Sequence, residues 1–204
     1  MTRVKICGVT SVEQALSCAG AGADAVGVNF VTSSPRRVET EMAREIVRAV
    51  GDAALVVGVV AAMTVDAMRA LREKTGVACL QLHGDDAGTN VAALLPHAYA
   101  SVGIADAEDA ARAETLPGDF VMVDAKVVGA LGGTGHTFDW SLVALLAKRR
   151  KLVLAGGLTA DNVAGAIRAV RPWCVDVASG VERAPGDKDM AKVRAFIEAV
   201  RGSG

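Results

Sequence analysis

Aromatic side chains are scarce, at 3% of 204 residues, against a hydrophobic fraction of 51%. A core with so few rings has to be assembled from Ala, Val, Leu and Ile. An excess of either charge is also missing. The formal net charge is −1 and no stretch concentrates Lys or Arg, which argues against a nucleic-acid partner. The densest cationic cluster, Arg149-Arg150-Lys151, reads as a solvated helix end, where cations meet the negative pole of the helix dipole. No apolar run reaches the roughly 20 residues that span a bilayer. The opening MTRVKICGVT lacks the apolar segment of a signal peptide. The four cysteines, Cys7, Cys18, Cys79 and Cys174, make no C-x-x-C pair and fit no zinc spacing. The expectation is a soluble cytoplasmic protein with free thiols and with no metal, nucleic-acid or membrane partner.

What is present is a repeated unit. Short apolar runs occur at Val4–Cys7, Ala25–Val28, Leu55–Val60, Cys79–Leu82, Ala100–Ile104, Phe120–Val123, Leu152–Ala155 and Val175–Val177. They start roughly 20 to 32 residues apart, room for one strand and one helix each. The runs are apolar throughout, as in parallel strands covered on both faces. Helical spacing fills the gaps at Ser11–Gly20, Thr40–Val50, Thr64–Lys74, Asp86–Leu95, Ala105–Thr115, Asp139–Lys148, Thr159–Val170 and Asp187–Arg201. Thr10 with Glu13 fits a capping box; Asp139 and Thr159 suit N-caps, and Gly51 and Gly76 suit helix ends. Eight such units, with no linker to divide them, predict a single α/β domain over residues 1–204, a (β/α)8 barrel with a parallel eight-stranded core. The rival is a doubly wound open sheet, which usually has fewer strands and a Gly-rich first turn. Here the glycines gather after the last three strands instead.

The working face of a barrel lies at the C-terminal ends of its strands. Those positions hold Cys7, Asn29, Ala61, His83, Ala105, Asp124, Gly156-Gly157 and Ser179-Gly180. The last two turns let backbone N–H groups approach an anion, so Gly156, Gly157, Ser179 and Gly180 are candidates to hold a phosphate rather than merely tight turns. Gly132-Gly133-Thr134-Gly135 is a third glycine loop, a flap or a part of the same cradle, which makes Gly133 a further candidate. Asp124 closes a buried strand, where partial burial would let a carboxyl hold or release a proton near neutrality; its alternative is a loop cap or a partner for Lys126. Cys7 is a base or nucleophile once ionised, or a small buried filler. The other three cysteines sit inside elements and read as filler. Arg36, in Ser33-Ser34-Pro35-Arg36-Arg37, offers a fork for a carboxylate or is simply solvated. His83 either contacts substrate or satisfies a polar position in the barrel mouth.

The ordered set of motifs resembles one family, the phosphoribosylanthranilate isomerases of tryptophan biosynthesis. The match runs nearly end to end. It comprises Lys5-Ile6-Cys7-Gly8-Val9-Thr10, Gly22-Ala23-Asp24-Ala25, Ser34-Pro35-Arg36, Gln81-Leu82-His83-Gly84, Gly132-Gly133-Thr134-Gly135 with Phe138-Asp139-Trp140, and Leu154-Ala155-Gly156-Gly157-Leu158. It closes with Val175-Asp176-Val177-Ala178-Ser179-Gly180-Val181-Glu182 and Gly186-Asp187-Lys188-Asp189. The resemblance implies an Amadori rearrangement of N-(5-phosphoribosyl)anthranilate to 1-(2-carboxyphenylamino)-1-deoxyribulose 5-phosphate, with no metal or organic cofactor; the sequence leaves the assembly open between a monomer and a homodimer. It implies Cys7 as general base, Asp124 as general acid, Arg36 against the anthranilate carboxylate, and the last glycine turns on the phosphate. The chain departs from the family at Val60-Ala61-Ala62, where Phe-Val-Asn is common, at Ala178 for a usual serine and at Val28 for a usual aromatic residue. Two other readings remain at this stage. One is the histidine-pathway isomerase, which acts on a substrate with two phosphates; the other is a non-catalytic barrel that binds a phosphorylated ligand.

Overall fold

The computed structural model describes residues 1–125 and 140–203. Eight strands pair in chain order, and the eighth returns to the first to close the ring. They are β1 (Arg3–Cys7), β2 (Ala25–Asn29), β3 (Leu55–Ala61), β4 (Cys79–His83), β5 (Ala98–Ile104), β6 (Phe120–Ala125), β7 (Lys151–Leu154) and β8 (Cys174–Val177). Every pairing is parallel. The helices are α1 (Val12–Gly20), α2 (Thr40–Val50), α3 (Val65–Thr75), α4 (Ala87–Leu94), α5 (Ala107–Thr115), α6 (Ser141–Arg149), α7 (Val163–Val170) and α8 (Met190–Arg201). The (β/α)8 barrel expected from the repeat is the fold observed.

Period-two alternation assigns each strand residue a face. Val4 and Ile6 of β1 are fully buried in the layer between sheet and helices. Helix α2 supplies Ala43, Ile46 and Val50 to that layer at helical spacing and ends at Gly51, whose φ is 52°. Helix α3 ends at Gly76, φ 77°, whose amide donates to the Arg72 carbonyl. The other residues of each strand fill the barrel. Val57, Tyr99, Met122, Val153, Ala155 and Cys174 form a separate apolar cluster there, with Phe120 and Trp173 edge to face 4.8 Å apart beneath it. Lys5, Gln81 and Asp176 interrupt this interior with polar groups, each at most 5% exposed.

Several local expectations need correction. The cap of α1 is Ser11, whose hydroxyl accepts from the Gln14 amide, while the Gln14 side chain reaches back to the Thr10 amide. The box therefore lies one residue later than Thr10 and Glu13, which frees the Thr10 hydroxyl to donate to the Gly186 carbonyl at 2.8 Å. Thr159 does not cap α7; it opens a turn, and Asn162 stands at the cap. The last helix begins at Met190, capped by Asp189, because residues 182–188 form a hairpin of β9 (Glu182–Ala184) and β10 (Asp187–Lys188). The cluster Arg149-Arg150-Lys151 is not a solvated helix end as a whole. The Arg150 guanidinium donates to the carbonyls of Glu114, Leu116 and Gly118 and ties down the segment before β6, and Lys151 begins β7. Asp139 and the Gly132–Gly135 loop lie outside the described residues.

Candidate active site

Alternation puts Lys5 and Cys7 on the inner face of β1, as the hexapeptide Lys5-Ile6-Cys7-Gly8-Val9-Thr10 suggests. Cys7 is 8% exposed and Lys5 2%. The Lys5 ammonium donates to Asp176 Oδ1 on β8 at 2.8 Å and to Gln81 Oε1 on β4 at 3.0 Å. Tyr99 of β5 donates its hydroxyl to the same Gln81 oxygen at 2.9 Å. Two donors on Oε1 fix the amide orientation, so the Gln81 Nε2 donates to His83 Nε2, 2.8 Å away, and the neutral ring carries its proton on Nδ1. Burial and then Lys5 push the His83 pKa down to about 4, so the ring is neutral at pH 7.

Room for this arrangement comes from β2. Gly27 stands opposite Cys7 in the ladder. A Cβ there would lie 2.7 Å from Cys7 Sγ and 3.2 Å from Lys5 Nζ, so the thiol and the ammonium share the space a side chain would fill. Burial is the largest effect and disfavours the Lys5 charge, but Asp176, Cys7 and Tyr99 together outweigh it and hold its pKa well above the usual lysine range. Burial pushes the Cys7 thiol up, Lys5 draws it down, Asp176 raises it, and Lys188 lowers it again. The net shift is upward, so Cys7 rests as a thiol with two buried ammonium groups ready to favour its thiolate.

Asp124 is half-buried near the end of β6, opposite Gly103 in the ladder and three strands round the ring from Cys7. His83 and Asn29 line a cavity of about 310 Å3 with Val59, Ala61 and the Ser33-Ser34-Pro35 segment. Arg36 follows that segment and is not solvated. Its Nε donates to Glu182 Oε1 at 2.9 Å and its Nη2 to Oε2 at 2.7 Å. Its stem crosses Gly8, where a Cβ would stand 2.5 Å from Arg36 Cδ. The Lys188 ammonium, fully buried, donates to Glu182 Oε1 at 2.7 Å and to the Ala178 carbonyl at 3.2 Å.

The two late glycine turns adjoin. Gly156 and Gly157 have φ of 93° and 60°, values that side chains rarely adopt. A Cβ on Gly180 would fall 2.0 Å from the Leu158 carbonyl oxygen, so the turn after β8 lies directly on the turn after β7. Ser179 and Gly180 open a short 3-10 turn there. Cys7, His83, Asp124, Arg36, Gly156, Gly157, Ser179 and Gly180 thus belong to strand ends or to the loops that follow them, whereas Gly133 lies outside the described residues. The remaining cysteines behave as filler: burial raises Cys18 and Cys79 to about 11, and Cys174 further still. Gln81, Asp176, Glu182 and Lys188 also shape the site and are not marked out by strand-end position. Asp176 carried a signal, an acid inside Val175-Asp176-Val177 at an inward position; Glu182 carried none beyond its place after a glycine turn.

A family model described as N-(5'phosphoribosyl)anthranilate (PRA) isomerase matches residues 4–199. The chain is 44% identical to an N-(5'-phosphoribosyl)anthranilate isomerase of Pseudomonas paraeruginosa, over 99% of this chain and 96% of that one. Among solved structures, it is similar to the phosphoribosyl anthranilate isomerase of Thermotoga maritima, with a TM-score of 0.91 and 37% identity over 99% of this chain and all of that one. A further isomerase structure, in complex with reduced 1-(o-carboxyphenylamino)-1-deoxyribulose 5-phosphate, gives a TM-score of 0.88 and 34% identity over the same shares. A barrel closed in chain order, a buried thiol at the end of its first strand and the match along almost its whole length agree: the chain belongs to the N-(5'-phosphoribosyl)anthranilate isomerases.

Proposed function

We propose that the isomerisation runs by paired proton transfer, with Asp124 as acid and Cys7 as base. Asp124 gives a proton to the furanose ring oxygen of N-(5-phosphoribosyl)anthranilate as the C1–O bond breaks and the ring opens to an iminium. Cys7, once ionised beside the Lys5 and Lys188 ammonium groups, removes the proton from C2 and leaves an enolamine. Protonation at C1, with loss of the proton from the C2 hydroxyl, then gives the aminoketose, so C2 is oxidised and C1 reduced within one molecule. The observation that carries this reading is Cys7, closing β1 beside the Lys5 ammonium in space left open by Gly27. The resting thiol has its proton affinity raised by burial and opposed by Lys5 and Lys188, which suits a group that must gain a proton from carbon and lose it again.

The other roles follow from charge. The adjoining Gly156-Gly157 and Ser179-Gly180 turns suit the phosphate, and Arg36 suits the anthranilate carboxylate. Anchoring the substrate at both ends would hold the ribose over Cys7, and proximity of this kind is worth several kcal/mol, roughly 7 in favourable cases. His83, neutral, lines the cavity beside this path as a hydrogen-bonding wall. Four free thiols, and the lack among the described residues of any helix able to cross a membrane, support a cytoplasmic setting.

The test is a fluorescence assay of phosphoribosylanthranilate loss. Cys7→Ala and Asp124→Asn are each expected to lower kcat by at least about a thousandfold while the melting curve stays close to wild type. Near-normal turnover in either variant removes that residue from its role. The histidine-pathway substrate, run alongside, is expected to turn over far more slowly.

A further inference from the structure

We propose that Glu182 is a positioning residue for substrate recognition. It locks one edge of the Arg36 guanidinium and so presents the other edge to the carboxylate of the aminobenzoate ring. This rests on the assignment of Arg36 to that carboxylate.

The geometry is that of a committed pair. Glu182 takes the side-on edge of Arg36: Nε donates to Oε1 at 2.9 Å and to Oε2 at 3.2 Å, and Nη2 donates to Oε2 at 2.7 Å. The guanidinium is planar, so two such bonds fix its plane as well as its place. The edge made by Nη1 and the second proton of Nη2 is turned away from Glu182. It offers a second parallel pair of donors, the shape a carboxylate accepts.

Glu182 is itself held rather than swinging with its partner. Its side chain is 4% exposed. Oε1 also accepts from Lys188 Nζ at 2.7 Å and from the Gly186 amide at 3.2 Å, and its backbone carbonyl accepts from Lys192 Nζ at 2.8 Å. The other end of Arg36 is confined too, because its stem lies across Gly8, next to Cys7. The arginine lies close enough to Cys7 that the sulfur, once ionised, favours its charge. An arginine gripped at both stem and edge has little rotamer freedom left to lose when substrate arrives, and lower ordering entropy is a gain in affinity. The hairpin of β9 and β10 therefore serves recognition: it carries Glu182 and Lys188 and sets where the carboxylate of the substrate docks.

Two substrates read this out. One is N-(5-phosphoribosyl)anthranilate. The other is N-(5-phosphoribosyl)aniline, made the same way from aniline and ribose 5-phosphate, which lacks the carboxylate. The readout is the ratio of the two KM values. In wild type the carboxylated substrate should have the lower KM. Glu182→Gln should raise that ratio about tenfold towards the aniline compound, a loss tied to the carboxylate alone. Glu182→Asp, which keeps the charge but shortens its reach, should lie between, and it carries the same comparison if Glu182→Gln does not fold. An unchanged ratio, an equal loss on both substrates, or tighter binding of the carboxylated one overturns the proposal. Arg36→Met, run beside them, separates the two ideas. If its KM ratio stays at the wild-type value, the arginine assignment is wrong; if its ratio shifts and those of the Glu182 variants do not, only the positioning role is wrong.

Discussion

Gly27 shows how a single missing side chain makes a site. Nothing about its backbone demands glycine; what demands it is the sulfur and the ammonium occupying its Cβ position. Gly27→Ala should therefore leave the fold in place and push the thiol aside. The expected result is a drop in kcat of about a hundredfold with a change in Tm of no more than a few degrees, since displacement of a reacting atom by about 1 Å costs that much in rate. A loss of stability matching the loss of rate would mean the glycine serves packing instead. Cys7 was legible at this scale because it ends the first apolar run, where a barrel presents its working face. Lys5 was legible from period-two alternation, which puts it on the same side of the strand as Cys7. The partners of Lys5 were not: Gln81 and Asp176 lie 76 and 171 residues away in the chain, and hydrogen bonds of that reach leave no local pattern.

At the scale of elements, the eight apolar runs became eight strands, because burial on both faces suppresses polar residues along the whole run. Helix ends were less legible, since several residues near each end can cap and tertiary contacts choose among them. Thr10 is the example: its hydroxyl goes to Gly186 across the molecule, and Ser11 takes the cap. The hairpin of β9 and β10 was hidden because Glu182-Arg183-Ala184 and Asp187-Lys188 are too short and polar to show a period. One departure from the family pattern does have a local physical meaning. Ala62, where asparagine is common, sits in the turn after β3 at a φ of 53°. That region costs an L-residue roughly 1 kcal/mol or more, and asparagine tolerates it better. Ala62 is exposed, so Ala62→Asn should fit and stabilise by about 0.5–1 kcal/mol, seen as a rise of roughly 1–4 °C in Tm. A fall in Tm would show that the turn does not set the preference.

For the whole molecule, the interior of the barrel carries a protonation signature. An unfolded histidine binds a proton below about pH 6.5, whereas folded His83 stays neutral down to about 4. Between these values the unfolded state holds more protons, so stability falls as pH falls through the window. The expected loss is on the order of 2 kcal/mol between pH 6.5 and 4. Urea titrations at several pH values should show it in the wild type and less of it in His83→Asn; identical slopes would place the acid sensitivity elsewhere. The closed ring itself was readable from the count and spacing of the repeats.

The Lys5–Asp176 pair has a consequence in time. During synthesis Lys5 emerges well before Asp176, which lies 171 positions later in the chain. Until β8 is added, β1 and β7 present open edges, and the lysine destined for the interior has no carboxylate to meet. A nascent barrel therefore cannot dry its centre strand by strand. It must keep water around that ammonium until the final turn of the ring arrives. The Lys5–Asp176 part of the electrostatic setting of Cys7 then forms only at closure, and the Lys188 part only with the hairpin that follows β8.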